Sequence, residues 1–279
     1  DILIIWIASY PKSGNTWVRS IISSYFFSET GDFDFSLLKK ISLYPGPKYF
    51  ENTIKKPGEV SLFWEISQKN IIKKQKQTYL KTHNALVALN NNSFTSEKLT
   101  LGAIYIVRDP RNVLSSLKNH YDFNDYNEAF DFMTNKKKYI WDVRKKDDFS
   151  GFQFLGSWSD HYKSWVNNSR FKTLLLKYED LEKDCYSASH KLIKFILFLN
   201  GHNDLVDEKK LFKCIETTKF DILKKKEKDS GFDESIKINN INKSFFFLGP
   251  ENQWQTKLPK EILSKVEKEF QKDLEYFNY

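Results

Sequence analysis

The first 26 residues follow the pattern of a buried β-strand, a short polar turn and an amphipathic helix. Ile2–Ala8 is a continuous apolar run of strand length, as expected for a parallel strand covered on both faces. After the turn, apolar residues recur at the spacing of one helical face: Val18, Ile21, Ile22, Tyr25 and Phe26. A strand that leads through a tight turn into a helix favours an α/β fold.

The turn itself, Ser9–Trp17, carries groups that bind anions. A helix start offers free backbone N–H groups and the positive end of the helix dipole. Lys12 adds a positive charge, Ser13 and Thr16 add hydroxyl donors, and Gly14 lets the backbone approach a ligand closely. The turn lacks the residue order of a Walker A loop. On these residues alone, a strand–helix turn without a ligand stays open as the alternative.

Further strands are expected along the chain, separated by helical patterns. The four apolar segments that predict strands are Ile2–Ala8, Thr78–Lys81, Leu101–Val107 and Thr173–Tyr178. They predict an α/β fold with a mostly parallel central sheet flanked by helices on both faces. Ligands of such sheets bind outside the carboxyl ends of the strands. With 279 residues, one elaborated domain over 1–279 is expected rather than two.

Local signals predict several helix boundaries and two loops. Asp109 is the expected N-cap of a helix that begins at Pro110, and Ser157 that of the next. Tyr186–Leu199 and Lys260–Phe277 are expected to be amphipathic helices. The two segments expected to form loops are Asp122–Gly156 and Lys226–Lys243.

Charge and cysteine content set broad limits on function. The net charge of +8 predicts attraction to anions without choosing among nucleic acid, membrane lipid and nucleotide, and no nucleic-acid-binding signature is evident. Cys185 and Cys214 are expected to be small core residues rather than a disulfide or metal ligands. No apolar stretch is long enough to span a bilayer. We expect a cytoplasmic protein, unless a targeting or anchoring segment precedes Asp1.

Two distant motifs resemble one protein family. Tyr10–Trp17 resembles the 5′-phosphosulfate-binding loop of sulfotransferases that use 3′-phosphoadenosine 5′-phosphosulfate (PAPS). Tyr105–Ser116 resembles the 3′-phosphate-binding motif of the same family, and the two motifs occur in the family's order. The resemblance implies a P-loop-like sulfotransferase fold. It also implies transfer of the sulfuryl group from PAPS to an acceptor hydroxyl of a carbohydrate, lipid or small alcohol, with 3′-phosphoadenosine 5′-phosphate (PAP) as product and no metal.

The resemblance also implies roles for single residues. His83, in Tyr79–His83, would be the base, and Lys12 and Lys81 would stabilise the leaving phosphate and the transferred group. The 5′-phosphate would be held by Lys12, Ser13, Gly14, Asn15 and Thr16, the adenine by Trp17, Tyr178, Thr218 and Phe220, and the 3′-phosphate by Arg108, Ser116 and the segment around Gly249. Core packing of Trp17 and a surface ion pair of Arg108 are the competing interpretations.

The sequence departs from the family near its C-terminus. Phe247 and Leu248 stand where the family has two cations. Two alternatives stay open: Lys243 or Lys257 replaces them, or the affinity for the donor is lower. The family's dimerisation pattern is not evident, so the sequence does not predict an oligomeric state. Two other functions stay open: a divergent P-loop nucleotide kinase, which requires Mg²⁺, and a non-enzymatic module that binds PAP or PAPS. The acceptor is expected to be shaped by the segments Asp32–Asn70 and Asp122–Gly156.

Overall fold

The structure is a computed structural model, and it describes residues 3–74, 78–202, 205–232, 234, 236–238, 241–246 and 249–279. The strands in chain order are β1 (Ile4–Ser9), β2 (Ile41–Leu43), β3 (Thr78–Thr82), β4 (Ala88–Leu89), β5 (Asn92–Ser93), β6 (Thr100–Val107), β7 (Tyr139–Ile140), β8 (Gln153–Phe154), β9 (Thr173–Lys177), β10 (Ile236–Ile238) and β11 (Ile241–Lys243). The helices are α1 (Asn15–Phe27), α2 (Trp64–Lys74), α3 (Pro110–Tyr121), α4 (Tyr126–Thr134), α5 (Trp158–Val166), α6 (Tyr178–Lys183), α7 (Cys185–Leu199), α8 (Glu208–Thr217), α9 (Phe220–Ser230), α10 (Trp254–Lys257), α11 (Lys260–Glu269) and α12 (Gln271–Phe277).

The central sheet has five parallel strands in the order β2-β3-β1-β6-β9. The first strand of the chain therefore lies in the middle, with β3 and β2 on one side of it and β6 and β9 on the other. In open α/β sheets, a ligand crevice forms outside the carboxyl ends of the strands where the winding changes direction. The predicted mostly parallel sheet is confirmed. In this sheet the winding changes direction at β1, so the ligand crevice is expected at the carboxyl end of β1.

Alternate residues of β1 enter two different hydrophobic layers. Trp6 packs on the side of α3, α5 and the C-terminal helices, and its indole N–H donates a hydrogen bond to Thr100 Oγ1 at 3.0 Å. Ile5 and Ile7 face the opposite layer, which includes Ile21 of α1 and Leu192 of α7. Successive side chains of a strand point to opposite faces, so a strand buried on both sides must be apolar throughout.

Several sequence expectations are met. All four predicted strands form within two residues of their expected ends, although Tyr178 begins α6 rather than ending β9. The Asp109 carboxylate accepts from the backbone N–H of Arg111, as expected of an N-cap before Pro110. Ser157 caps α5 in the same way by accepting from the N–H of Asp160. Both cysteines are free thiols.

Three expectations about secondary structure are wrong. Asp122–Gly156 is not one long loop, because it contains α4 and the β7–β8 pair. The predicted loop Lys226–Lys243 begins inside α9 and contains the antiparallel pair β10–β11, while residues 233, 235, 239 and 240 lie outside the described residues. The helix predicted over Lys260–Phe277 is divided at Phe270, which is buried and separates α11 from α12.

Candidate active site

The functional segments predicted from the sequence follow the carboxyl ends of four neighbouring strands. The anion-binding turn follows β1, His83 follows β3, Arg108 follows β6 and Tyr178 follows β9. The registers align these ends, since Ala8 pairs with Thr82, Ser9 with Ile106, and Val107 with Lys177. The sheet therefore brings the turn after β1 and Tyr178, which are far apart in the chain, to one edge.

A cavity of about 1010 Å³ opens at this edge. Of the predicted site residues, it is lined by Lys12, Gly14, Asn15, Thr16, Trp17, Lys81, His83, Arg108, Ser116, Tyr178, Phe220 and Gly249. Two predicted residues do not line it. Thr218 is fully buried and its hydroxyl donates to the carbonyl of Cys214 at 2.7 Å, so this side chain does not face the cavity. The Ser13 side chain is also buried, beneath the turn.

The turn after β1 has a backbone that suits close approach of a ligand. Lys12 and Gly14 both have positive φ angles, 66° and 95°. A Cβ atom on Gly14 would lie 2.4 Å from the Tyr178 ring, so the turn and the ring are packed too closely for any side chain there. Asn15 ties the turn to its strand, because its side-chain amide donates to the carbonyl of Ile7 and to Ser9 Oγ, each at 3.2 Å.

An aromatic and cationic cluster joins the two predicted phosphate-binding motifs. The Trp17 and Tyr178 rings meet edge to face with centroids 5.5 Å apart, and the Arg108 guanidinium lies 3.9 Å from the centre of the Tyr178 ring. Arg108 Nη1 donates to the carbonyl of Lys12 at 3.5 Å. Within the described part of the chain, Trp17 Nε1 and Arg108 Nε are buried without hydrogen-bond partners. Buried donors without partners are costly, which fits a site built for an anionic or polar ligand.

The segment that begins at Gly249 closes the cavity against α3. Asn252 donates from its amide to Ser116 Oγ and to the carbonyl of Asn112, each at 2.9 Å. The Phe220 ring lies against Gly249, where a Cβ atom would be 2.5 Å from it. Asn252 therefore fixes Ser116, a contact that the sequence did not predict. Phe247 and Leu248 lie outside the described residues, and Lys257 is exposed and does not line the cavity.

Burial and neighbouring charges lower the pKa values of two lysines of the site, Lys12 and Lys81. Burial, together with the nearby charges of Lys81 and Arg108, lowers the pKa of Lys12 to about 8. Its ammonium lies 4.2 Å from the centre of the Phe245 ring and donates to His120 Nδ1 at 3.5 Å. Burial also lowers the pKa of Lys81, although the neighbouring Glu234 carboxylate opposes this shift. Both amines are therefore easier to deprotonate than an exposed lysine.

The His83 imidazole has a fixed tautomer. Its Nδ1–H donates to the carbonyl of Ser9 at 2.8 Å, so Nε2 carries the lone pair. Burial and the charge of Lys81 lower the pKa of His83 to about 3, which keeps the ring neutral at physiological pH. The backbone of His83 is held as well, because its N–H donates to Gln153 Oε1 at 2.7 Å and its carbonyl accepts from His161 Nε2 at 2.9 Å. The ring is thus neutral and held in one orientation, with the lone pair of Nε2 free.

Two further histidines, His161 and His120, lie at the candidate site, although the sequence did not single them out. His161 is fully buried, and it links the Tyr105 hydroxyl at 2.8 Å to the backbone of His83. His120 lines the cavity, and burial with the charge of Lys12 lowers its pKa to about 2. A signal for His120 was present, since it follows Ser116 by four residues and so lies on the same face of α3.

Stability is expected to fall in weak acid because of His161. Burial lowers the pKa of His161 to about 4, whereas the unfolded chain has the ordinary value near 6.5. Between these values the unfolded state binds the proton and the folded state does not, so the free energy of unfolding decreases as the pH falls from 6.5 towards 4. His161→Gln is expected to make this dependence shallower by about 1.4 kcal/mol per pH unit. Urea unfolding between pH 7 and 5 measures it, and equal slopes for both proteins would contradict the assignment.

A partly buried ion-pair network that the sequence did not predict lies beside the turn. Glu234 accepts from Arg19 Nη1 at 2.7 Å, from Lys81 Nζ at 2.9 Å and from Thr16 Oγ1 at 3.4 Å. Burial acts to raise the pKa of Glu234, but the charges of Lys81 and Arg19 outweigh it and hold the pKa well below the usual range. A pairing of residues more than 200 positions apart leaves no local signal in the sequence.

The parallel sheet and the turn at its central strand define an α/β protein of the P-loop-like class. Residues 4–278 match the sulfotransferase domain family, and the chain belongs to that family. Mouse sulfotransferase 2A2 is 26% identical over 207 residues, which are 70% of this chain and 59% of that protein. Mouse sulfotransferase 1 family member D1 is 24% identical over 277 residues, covering 97% of this chain and 83% of that protein.

Among solved structures, mouse sulfotransferase SULT7A1 in complex with PAP superposes with a TM-score of 0.56 at 20% identity, covering 98% of this chain and 85% of that one. This similarity supports the fold. The chain spans less than two thirds of the length of sulfotransferase 2A2. No helix in the described ranges is long and apolar enough to cross a membrane, and the same residues contain no group of three or more His, Cys, Asp or Glu that could hold a metal ion.

Proposed function

We propose that this protein transfers the sulfuryl group of PAPS to an acceptor hydroxyl. The observation that carries the proposal is the shared cavity of the two distant motifs, with Arg108 in contact with the backbone of Lys12. One turn offers backbone N–H groups, a lysine and a hydroxyl, and the other offers a guanidinium and Ser116. An adenine nucleotide with phosphates on both sides of its ribose matches this pair of anion sites.

The nucleotide would be held along the cavity from the turn to α3. The backbone N–H groups of 13–16, Thr16 Oγ1 and Lys12 would bind the 5′ side. Trp17 and Tyr178 would contact the adenine, with Phe220 on the other side. Arg108 and Ser116 would bind the 3′-phosphate, and Arg108 suits this role because its planar group donates two hydrogen bonds to phosphate oxygens. The unpartnered N–H of Arg108 and of Trp17 supports this assignment.

The chemistry would be shared among three side chains. His83 would accept the proton of the attacking hydroxyl on Nε2, the nitrogen left free by the hydrogen bond of Nδ1 to Ser9. A negative donor next to the ring favours its protonated form, so the pKa of His83 would rise from its value in the free protein as the proton is taken up. Lys81 would stabilise charge on the sulfuryl oxygens, and Lys12 the charge left on the departing phosphate.

The acceptor side of the cavity favours an apolar alcohol. The aromatic residues that line it are Tyr121, Phe123, Phe132, Tyr139 and Trp141. They come mostly from the segment after α3, while Leu43 at the end of β2 and Pro47 after it also line the cavity. Tyr44 and Trp64 also belong to the segment Asp32–Asn70, which was expected to shape the acceptor site, but they are fully buried in the core. Flat apolar walls bury rings and hydrocarbon chains well. We therefore place lipid and small aromatic alcohols before carbohydrates as acceptors.

A transfer assay tests the proposal. The protein is incubated with ³⁵S-labelled PAPS and a panel containing a phenol, a long-chain alcohol and a hexose, with and without EDTA. We expect label on the phenol or the long-chain alcohol, with equal rates in EDTA. Activity with ATP that EDTA abolishes would instead favour a nucleotide kinase. PAP binding by calorimetry without transfer to any acceptor would favour a non-enzymatic binding module.

A further inference from the structure

Glu234 lies among the groups that the proposed function assigns to the donor. Its Oε2 atom is 2.9 Å from Lys81 Nζ and 3.4 Å from Thr16 Oγ1, so it accepts from both a sulfuryl-stabilising lysine and the hydroxyl of the anion-binding turn. Glu234 also lines the same cavity. A carboxylate oxygen resembles a phosphate or sulfate oxygen in charge and in the donors it accepts from.

The two oxygens of Glu234 have different partners. Oε1 accepts from Arg19 Nη1 at 2.7 Å, and the Arg19 side chain is only 3% exposed. The Glu234 side chain is 28% exposed, so one part of it faces the open cavity. A buried guanidinium left without a counterion is strongly unfavourable. Arg19 therefore attracts the carboxylate from one side, whereas Lys81 and Thr16 meet it from the cavity side.

Charge repulsion makes this arrangement incompatible with a bound donor. The 5′ end of PAPS or PAP is anionic, and the proposed function places it at Thr16 and Lys12 next to Lys81. Two anions that accept from the same hydroxyl and compete for the same ammonium repel each other over a few ångströms in a poorly solvated site. The donor therefore has to displace Oε2 of Glu234 from Lys81 and Thr16.

We infer that Glu234 is an internal competitor of the nucleotide: its carboxylate occupies the 5′-anion position when no nucleotide is bound, and this competition sets the affinity for PAPS and PAP. This inference rests on the proposed function, because that function assigns the same turn to the 5′-phosphate. Before the nucleotide binds, the carboxylate keeps Lys81 and Thr16 in place. On nucleotide binding the contacts of Oε2 pass to the incoming anion, while Oε1 stays on Arg19.

The test compares PAP binding to two glutamine variants by calorimetry. Glu234→Gln keeps the shape of the side chain and removes its charge, and it is expected to tighten PAP binding by roughly tenfold. Glu65→Gln is the matched control, since Glu65 pairs with Lys69 on the surface of α2 and is 71% exposed. The control is expected to bind PAP as the wild type does, because its charge lies on the surface and is screened.

An unchanged or weaker affinity of Glu234→Gln would overturn the inference, since it would make Glu234 a permanent support of Lys81. If the glutamine variant does not fold, Glu234→Asp provides the second test: its shorter side chain withdraws the charge from the turn, and it is expected to tighten PAP binding several-fold. Unchanged binding by a folded Asp variant would also count against the inference. Failure of the proposed function looks different, because the wild-type protein itself would then not bind PAP.

Discussion

Replacing His83 with alanine is expected to lower kcat for sulfuryl transfer by roughly 10²–10⁴-fold, the usual contribution of a positioned general base. The physical reason is the loss of the Nε2 lone pair, which the bond from Nδ1 to Ser9 keeps free and which burial keeps unprotonated. The affinity for PAP is expected to stay within about twofold of the wild type, because the ring is assigned to the acceptor proton and not to the nucleotide. Steady-state kinetics and calorimetry measure the two quantities.

A second variant separates the base from a merely structural role. His83→Gln retains an amide N–H that can donate to the Ser9 carbonyl but has no basic nitrogen, so it is expected to be as inactive as His83→Ala. His190→Ala, on α7, is the matched control and is expected to keep wild-type activity. Substantial activity of His83→Gln would contradict the base assignment, as would a loss of PAP affinity as large as the loss of kcat.

Replacing Arg108 with alanine is expected to weaken PAP binding by roughly 100-fold, since two charge-assisted hydrogen bonds to a phosphate are lost together. The same change is expected to alter the affinity for adenosine 5′-phosphate by only a few-fold, because that nucleotide has no 3′-phosphate. Stacking of the guanidinium on Tyr178 accounts for the small remaining loss. Both nucleotides are titrated by calorimetry into the wild type and Arg108→Ala, which gives four affinities. The loss of PAP affinity divided by the loss of affinity for adenosine 5′-phosphate isolates the contact to the 3′-phosphate.

Two further variants act as controls for this comparison of PAP with adenosine 5′-phosphate. Arg108→Lys keeps the charge but loses the planar pair of donors, so it is expected to recover only part of the PAP affinity. Arg170→Ala removes an arginine that contacts the backbone of Thr95 away from the cavity, and it is expected to bind both nucleotides normally. An equal loss of affinity for PAP and for adenosine 5′-phosphate in Arg108→Ala would show that Arg108 does not hold the 3′-phosphate.

The central sheet could be predicted mainly from β1 and β6, which are apolar on both faces. Runs such as Ile4–Ser9 and Thr100–Val107 are apolar along most of their length, and that pattern is visible in the sequence. The edge strand β2 could not be predicted, since it has three residues and its burial decreases from Ile41 to the exposed Leu43. Likewise, α4 and the β7–β8 pair are short elements among polar residues, and packing on the rest of the molecule stabilises them.

The candidate site was predictable where a residue directly follows a strand. Arg108 and His83 are placed by the sheet, so their convergence follows from topology alone. Thr218 follows no strand, and the sequence does not show that its hydroxyl donates to the carbonyl of Cys214 or that its side chain does not line the cavity. The ion pairs of Glu234 with Arg19 and Lys81 could not be predicted from the sequence either, since long-range ion pairs depend on how distant segments pack.

We propose that the turn after β1 and the residues after β6 hold opposite ends of one adenine nucleotide. A crystal structure of the protein with PAP tests this arrangement most directly. We expect the 5′-phosphate within hydrogen-bond distance of Thr16 Oγ1 and the backbone N–H groups of the turn, and the 3′-phosphate against Arg108 and Ser116. A nucleotide whose two phosphates both avoid Arg108, or that lies outside the cavity, would contradict the arrangement.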